Sequence, residues 1–301
     1  MIPVQIINKR KLTKRQFIGL LFILPVFLWH MCIVMIPAIR TLFMSFFEWN
    51  GISNPVFIGL DNFRKLIFED KIAHQALWNN VIWMIVFLIV PLGFGILIAF
   101  LVNKLRHGQM LYRTIIFMPY VLSAAIAGKL WSNFLNPFFG FPETLRQLGF
   151  HTLSEISWLG NPKIALWTVM FINNWGWWGF VMVLFVAALH QVDAELYEAI
   201  RVEGANSFQE FWHVTLPGIR HSLVFIITMS LTWSFMAFDY VWVITQGGPS
   251  NSTEMLSTLI YRNAFIQFNS GYASTICVLQ SVIIIFIFIC MQYFRKKAEE
   301  L

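Results

Sequence analysis

Few residues in this 301-residue chain could carry covalent chemistry. The phosphate-cradling pattern G-x-x-x-x-G-K-[ST] is absent, because Gly128-Lys129 is followed by Leu130 inside an apolar run. Neither H-E-x-x-H nor G-x-S-x-G occurs, so no metal or nucleophile constellation is announced. Cys32, Cys277 and Cys290 fall in apolar runs and read as inert packed thiols. The chain does place hydrogen-bonding and flat aromatic side chains inside apolar runs. Asn173, Asn174, Trp175, Trp177 and Trp178 form one cluster; Ser230, Thr232, Trp233, Ser234 and Asp239 form another. Such groups could hold a neutral, hydroxyl-rich molecule. The same residues could instead hydrogen-bond helices together or anchor at a membrane interface. Asp239 leaves two readings, a buried acid near an outer mouth or a cap on the following loop.

A second concentration of polar chemistry lies at His190–His221. Asp193, Glu195, Glu198, Arg201, Glu203, Glu210 and Arg220 make this stretch too charged for lipid, where Asp or Arg costs about 2.5–3.5 kcal/mol at the bilayer centre. Ala194–Glu203 is rich in helix formers, and Gly204 ends that helix. Ser207-Phe208-Gln209-Glu210 matches a capping box and predicts a second short helix. Phe208, Phe211 and Trp212 would form its apolar face, and Pro217 would stop it or start the next helix. Two short helices about a sharp turn make either an amphipathic surface connector or a compact acidic and aromatic docking knob.

The elements that position these groups follow from hydropathy. The composition is 58% hydrophobic and 12% charged, against about 45–50% and 25% in soluble domains. Apolar spans of about 20 residues are expected near 17–39, 81–102, 114–135, 164–189, 223–244 and 272–294. The expected fold is therefore all-α and transmembrane, with about six helices. Net charge is +6. The basic residues flank spans and carry no RNA-binding pattern, so they set topology and imply no nucleic acid. Lys9 to Arg15, Lys104, Arg106, Arg113, Arg201, Arg220 and Arg295 to Lys297 bias both termini to the cytoplasm.

At the polar stretch the sequence resembles the EAA loop of ABC-importer permeases. Glu198-Ala199-Ile200, Gly204 and Val214-Thr215-Leu216-Pro217 match that pattern's spacing, with Ile200 and Val214 as mild departures. Ile58-Gly59-Leu60-Asp61-Asn62-Phe63, Phe117-Met118-Pro119-Tyr120-Val121, Asn136-Pro137 with Gly140, Phe238-Asp239, Thr245-Gln246-Gly247-Gly248-Pro249 and Gly271-Tyr272-Ala273-Ser274 are similar to its carbohydrate branch, the maltose-type permeases. The resemblance implies a type I importer bundle: an extra first helix and exterior segment in 1–80, a five-helix core in 81–294 with the loop 190–221, and a cytoplasmic tail 295–301. It implies that Glu198, Ala199, Gly204, Leu216 and Pro217 couple to a separate ATPase; Glu203, Phe208 and Phe211 join them on the expected knob. Asn173, Asn174, Trp177, Trp233, Ser234 and Asp239 are the pathway candidates.

The resemblance further implies a non-catalytic sugar or oligosaccharide permease in a prokaryotic plasma membrane. Its partners would be lipid, a second related permease, two ATPase subunits and an extracytoplasmic sugar-binding protein. ATP and Mg would sit on the ATPase, leaving no cofactor or metal on this chain. A permease for another solute, such as glycerol phosphate, would want positive groups in the pathway, and the spans show few. An ion-coupled secondary transporter would want intramembrane acids, and the spans show almost none.

Overall fold

A computed structural model describes residues 14–299. Lys9, Arg10 and Lys11, on which the expected orientation partly rests, lie outside the described residues. The chain opens with α1 (Lys14–His30), which passes through a wide π turn at Met31–Met35 into α2 (Ile36–Met44). The apolar stretch Leu21–Met44 buries almost nothing against the rest of the chain. A two-residue antiparallel pair follows, β1 (Phe47–Glu48) with β2 (Val56–Phe57). Then come α3 (Asp61–Arg64) and a π turn at Lys65–Glu69. Asn62 ties this region down, its amide donating to the carbonyls of Ser45 and Phe47 at 3.1 and 3.0 Å.

The bundle core is α4 (Lys71–Asn103) packed on α9 (Ala165–Leu189). Asp70 caps α4, accepting from Ile72 N and Ala73 N at 2.8 and 3.0 Å. At 33 residues α4 is about 50 Å long, well beyond the bilayer's roughly 30 Å of hydrocarbon. It begins at Lys71, so a boundary after residue 80 falls inside it.

The expected continuous span at 114–135 is instead two helices. α5 (Gln109–Val121) and α6 (Ala124–Phe134) meet at 92°. Leu122 is extended, and Ser123 Oγ accepts from Ile126 N at 3.3 Å, starting a new helix. Two glycines let α5 approach α9 closely: a Cβ on Gly179 would overlap the Ile116 carbonyl, and one on Gly176 would stand 3.5 Å from the Pro119 carbonyl.

Beyond α6 lie α7 (Phe141–Gln147) and α8 (His151–Ser154), which lead into α9. After α9 come α10 (Ala194–Val202), α11 (Ser207–Glu210), a π turn at Phe211–Thr215 and α12 (Leu216–Gly218). The next span is also interrupted. α13 (Arg220–Phe235) stops, Met236–Phe238 leave the helix, and α14 (Asp239–Ile244) resumes it. Freed carbonyls there are met by side chains: Gln280 Nε2 donates to Phe235 O at 2.6 Å, and the Ser257 hydroxyl donates to Ala237 O. α15 (Leu256–Tyr261), a π turn at Arg262–Ile266 and α16 (Ser270–Glu299) complete the chain. Among the described residues, five helices are long and apolar enough to cross a membrane, or six when α5 and α6 count as one span.

Candidate functional site

Both helix breaks open onto one cavity of about 670 Å³. Leu122 and Ser123 line it from the α5–α6 break, and Met236, Ala237, Phe238 and Asp239 from the α13–α14 break. Trp83 and Phe87 of α4, Tyr120 of α5, and Asn173, Gly176 and Trp177 of α9 complete most of the wall. Trp177 is the central residue of the 25-residue α9, so the cavity sits at mid-bundle. Its ring lies 5.1 Å from Trp233 and 5.0 Å from Phe87, centroid to centroid. Trp83 Nε1 and Trp177 Nε1 are buried and find no hydrogen-bond partner among the described residues. The wall is thus flat aromatic faces with a few donors and one carboxylate. Among the described residues, no Lys, Arg or His lines it.

Four of the six expected pathway residues line this cavity: Asn173, Trp177, Trp233 and Asp239. Asn174 and Ser234 do not. Asn174 Nδ2 donates to Met170 O at 2.8 Å, and Ser234 Oγ donates to Leu231 O at 2.7 Å, both within their own helices. Asp239 is neither buried nor a loop cap. It is exposed in the first turn of α14, where the helix dipole favours a negative charge. Sequence reasoning missed Ser123 and Tyr120 as lining residues. A Ser just before Ala124-Ala125 was a usable capping signal.

The second candidate is the α10–α12 loop, at the opposite end of α9 from α7 and α8. Asp193 Oδ1 accepts from Glu195 N at 3.0 Å and caps α10. Gly204 stands at φ +81, the left-handed conformation that ends a helix with a sharp turn. The capping box sits one residue earlier than expected. Asn206 Oδ1 accepts from Gln209 N, and Gln209 Oε1 accepts from Asn206 N at 2.8 Å. Asn caps as well as Ser, and the shift leaves Glu210 free for another role.

Glu210 is buried, and its carboxylate faces Arg201 Nε at 3.1 Å and Lys104 Nζ at 3.5 Å. Lys104 Nζ also donates to Ser207 Oγ at 3.0 Å. The hydrogen bond from Arg201 to Glu210 holds the guanidinium pKa above its ordinary value. These contacts join both short helices to the end of α4. No local pattern pointed to them.

Glu198, Ala199, Glu203 and Pro217 are exposed, Phe208 is strongly so, and Leu216 is half-buried. Phe211, on the expected apolar face with Phe208 and Trp212, is half-buried. Its ring turns inward, edge-on to Phe100 of α4 at 5.6 Å.

The segment 245–269, which includes α15, is held by buried polar contacts. Glu254 is fully buried and pairs with Arg262 at 2.8 Å. Arg262 Nη2 also donates to Gln246 O at 2.6 Å. A Cβ on Gly247 would overlap the Glu254 carboxylate. Asn79 and Asn80 of α4 bind this segment's backbone at Ser252, Glu254 and Leu256.

The family described as "Binding-protein-dependent transport system inner membrane component" matches residues 92–300. The chain is 32% identical to the probable ABC transporter permease protein YurN of Bacillus subtilis (strain 168), covering 96% of this chain and 99% of that one. It is 30% identical to the probable starch degradation products transport system permease protein AmyD of Thermoanaerobacterium thermosulfurigenes, covering 97% and 98%. A bacterial ABC transporter involved in the import of the acidic polysaccharide alginate contains a chain of the same fold, with TM-score 0.83, 22% identity and coverage of 94% and 96%.

Proposed function

We propose a function from one premise: this chain belongs to the family of binding-protein-dependent transport system inner membrane components. It is a multi-pass membrane transport subunit. Our reading is a permease subunit of an ATP-driven importer for sugars or oligosaccharides. The exposed α10–Gly204–α11 knob carries that reading, because it presents rigid, capped helices at one end of a bundle that encloses a cavity.

In this reading the knob and both termini face the cytoplasm, and a separate ATPase subunit receives the knob in a cleft. Glu198, Ala199, Glu203, Gly204, Phe208, Leu216 and Pro217 form the docking surface. ATP and Mg bound by the ATPase pair supply the closing force. Lys104, Arg201 and Glu210 make the knob move with α4. Because α4 also lines the cavity through Trp83 and Phe87, a push at the knob shifts a cavity wall. Alternating access follows from that coupling, with no catalysis on this chain. A second related permease supplies the other half of the pathway, and an extracytoplasmic binding protein delivers the solute. The family match begins at residue 92 and the first helix is exposed, which supports an added N-terminal helix beside a core domain.

The sugar assignment rests on the cavity's aromatic faces and single carboxylate, and on AmyD's description as a permease for starch degradation products. A phosphate-bearing solute finds no cation in the wall. Gly204→Val tests the coupling. A Cβ there meets nothing within 4 Å in this chain, so the change strains the φ +81 turn and adds bulk to the docking surface without disturbing the chain's own packing. Uptake should be lost while the chain stays inserted and ATPase activity no longer responds to the binding protein. Unchanged uptake would overturn the coupling reading.

A further inference from the structure

We propose that the α7–α8 segment lies in the headgroup boundary of the bilayer leaflet away from the α10–α12 loop, as a monolayer anchor. It connects α6 to α9, so its ends are fixed near one membrane surface. On α7 the apolar residues Phe141, Leu145 and Leu148 share one face. Glu143, Arg146 and Gln147 occupy the opposite one. A short helix divided in this way suits an interface, with its apolar face about 5–10 Å into the headgroup and acyl boundary.

Much of this apolar face is left uncovered: Leu148 is 67% exposed, Phe141 is 39% exposed, and the neighbouring Phe138 and Phe139 are 83% and 68% exposed. It is also continuous with the surface that lipid must cover. Ile126, Leu130 and Phe134 form an exposed stripe at four-residue spacing along α6. Phe134 stacks on Phe141 at 5.1 Å, carrying the stripe into α7 without a gap.

The charges on the other face are internally satisfied. Arg146 forks onto Glu143 at 2.7 and 2.8 Å, and Gln147 adds a third bond at 3.1 Å. This pairing holds the Glu143 carboxyl down to about 2. Trp167, exposed in the first turn of α9, marks the same level with an aromatic girdle residue.

The test uses the assembled transporter with the unmodified chain, in liposomes containing a lipid-tethered diazirine. After photolysis, mass spectrometry should find label on Phe138, Phe139 and Leu148 and little on Glu143 or Arg146. Ile126 and Leu130 serve as controls for placement of the bundle in lipid. Label on those controls but none on 138–153 overturns the proposal.

A second measurement places a spin label at Phe139→Cys, in a chain whose native cysteines are replaced by Ala. Oxygen collision should exceed that of an aqueous nickel chelate, at a depth of about 5–10 Å. Higher chelate collision overturns the proposal. So does protection from both reagents, the signature of a covering permease. Protection that appears only with the binding protein present overturns it as well.

Discussion

Arg201 Nε and Glu210 Oε2 stand 3.1 Å apart across the turn that separates the two short helices of the knob. Arg201 is on α10 and Glu210 ends α11, so this contact fixes the angle between them. Lys104 extends the bond to α4. The asymmetry of burial makes a prediction. Glu210's side chain is 6% exposed, whereas Arg201's is 60% exposed.

Removing both cations strands a buried carboxylate, which in a fully buried pair costs about 3–5 kcal/mol. Because Arg201 is largely exposed, the loss here is smaller than in that fully buried case. Lys104→Ala with Arg201→Ala should therefore destabilise more than Glu210→Gln, which leaves two solvated cations and costs about 1 kcal/mol. Thermal unfolding of the three variants in detergent checks the order. If Glu210→Gln is the most damaging, the charge cluster is not what holds the knob.

The cavity separates lining from packing. Trp233 is 52% exposed, and Trp177 is 5% exposed. Trp233→Ala should lower the melting temperature only slightly, through the lost contact with Trp177. It should raise the half-saturating sugar concentration about 2–10-fold, the loss of an aromatic contact worth about 0.5–1.5 kcal/mol. Trp177→Ala should impair uptake and also destabilise the chain by about 3–5 kcal/mol, because it empties a packed site. Uptake assays run beside melting curves distinguish the two. Normal uptake in Trp233→Ala would remove the aromatic wall from the pathway.

The apolar lengths of α4 and α9 and the turn at Gly204 were legible in the sequence. Each is a local property: a long run without charge, or a glycine after a helix-forming segment. The two helix breaks were not legible, because hydropathy averages over about 20 residues and Leu122-Ser123 and Met236-Ala237 do not lower it enough to notice. The stability of the α13–α14 break also depends on Gln280 and Ser257, which lie further along the chain.

The capping box failed by one residue for a related reason. Asn206-x-x-Gln209 and Ser207-x-x-Glu210 both fit the template. The choice between them is made by Glu210, whose ionic partners come from other helices. Asn173 and Asn174 show the same limit, since adjacent helical residues point in different directions and only the first reaches the cavity.

The α13–α14 break should depend on its side-chain donor. Gln280 is buried and supplies the bond to Phe235 O. Gln280→Leu removes that donor without changing bulk greatly and leaves a carbonyl unsatisfied, a cost of about 1–3 kcal/mol. Hydrogen exchange should then rise at Met236–Phe238 more than along α13. Because Ser257 bonds the nearby Ala237 carbonyl, the double variant with Ser257→Ala should lose an amount different from the sum. Exchange equal to wild type at the break would show that water can replace Gln280.

The segment 245–269 should respond to pH through Glu254. Burial pushes this carboxyl above the usual carboxylate range, against the opposing pull of the Arg262 charge. A folded acid with a raised pKa binds its proton more tightly than the unfolded chain does. Its contribution to stability is therefore largest below the unfolded value of about 4.3. It declines as pH rises from there to the folded value, and is flat beyond.

Arg262→Ala removes the charge that holds the carboxyl down, so the declining interval extends further upward. At neutral pH that variant leaves a buried, unpaired carboxylate and should lose about 3 kcal/mol, the low end for breaking a buried pair, because Arg262 itself is 28% exposed. Acidification should return part of that loss in Arg262→Ala, whereas Arg262→Ala with Glu254→Gln should show little dependence on pH over the same range. Limited proteolysis within 245–269, followed across pH in both variants, reads the effect directly. Equal pH profiles would mean that Glu254 is not the titrating group.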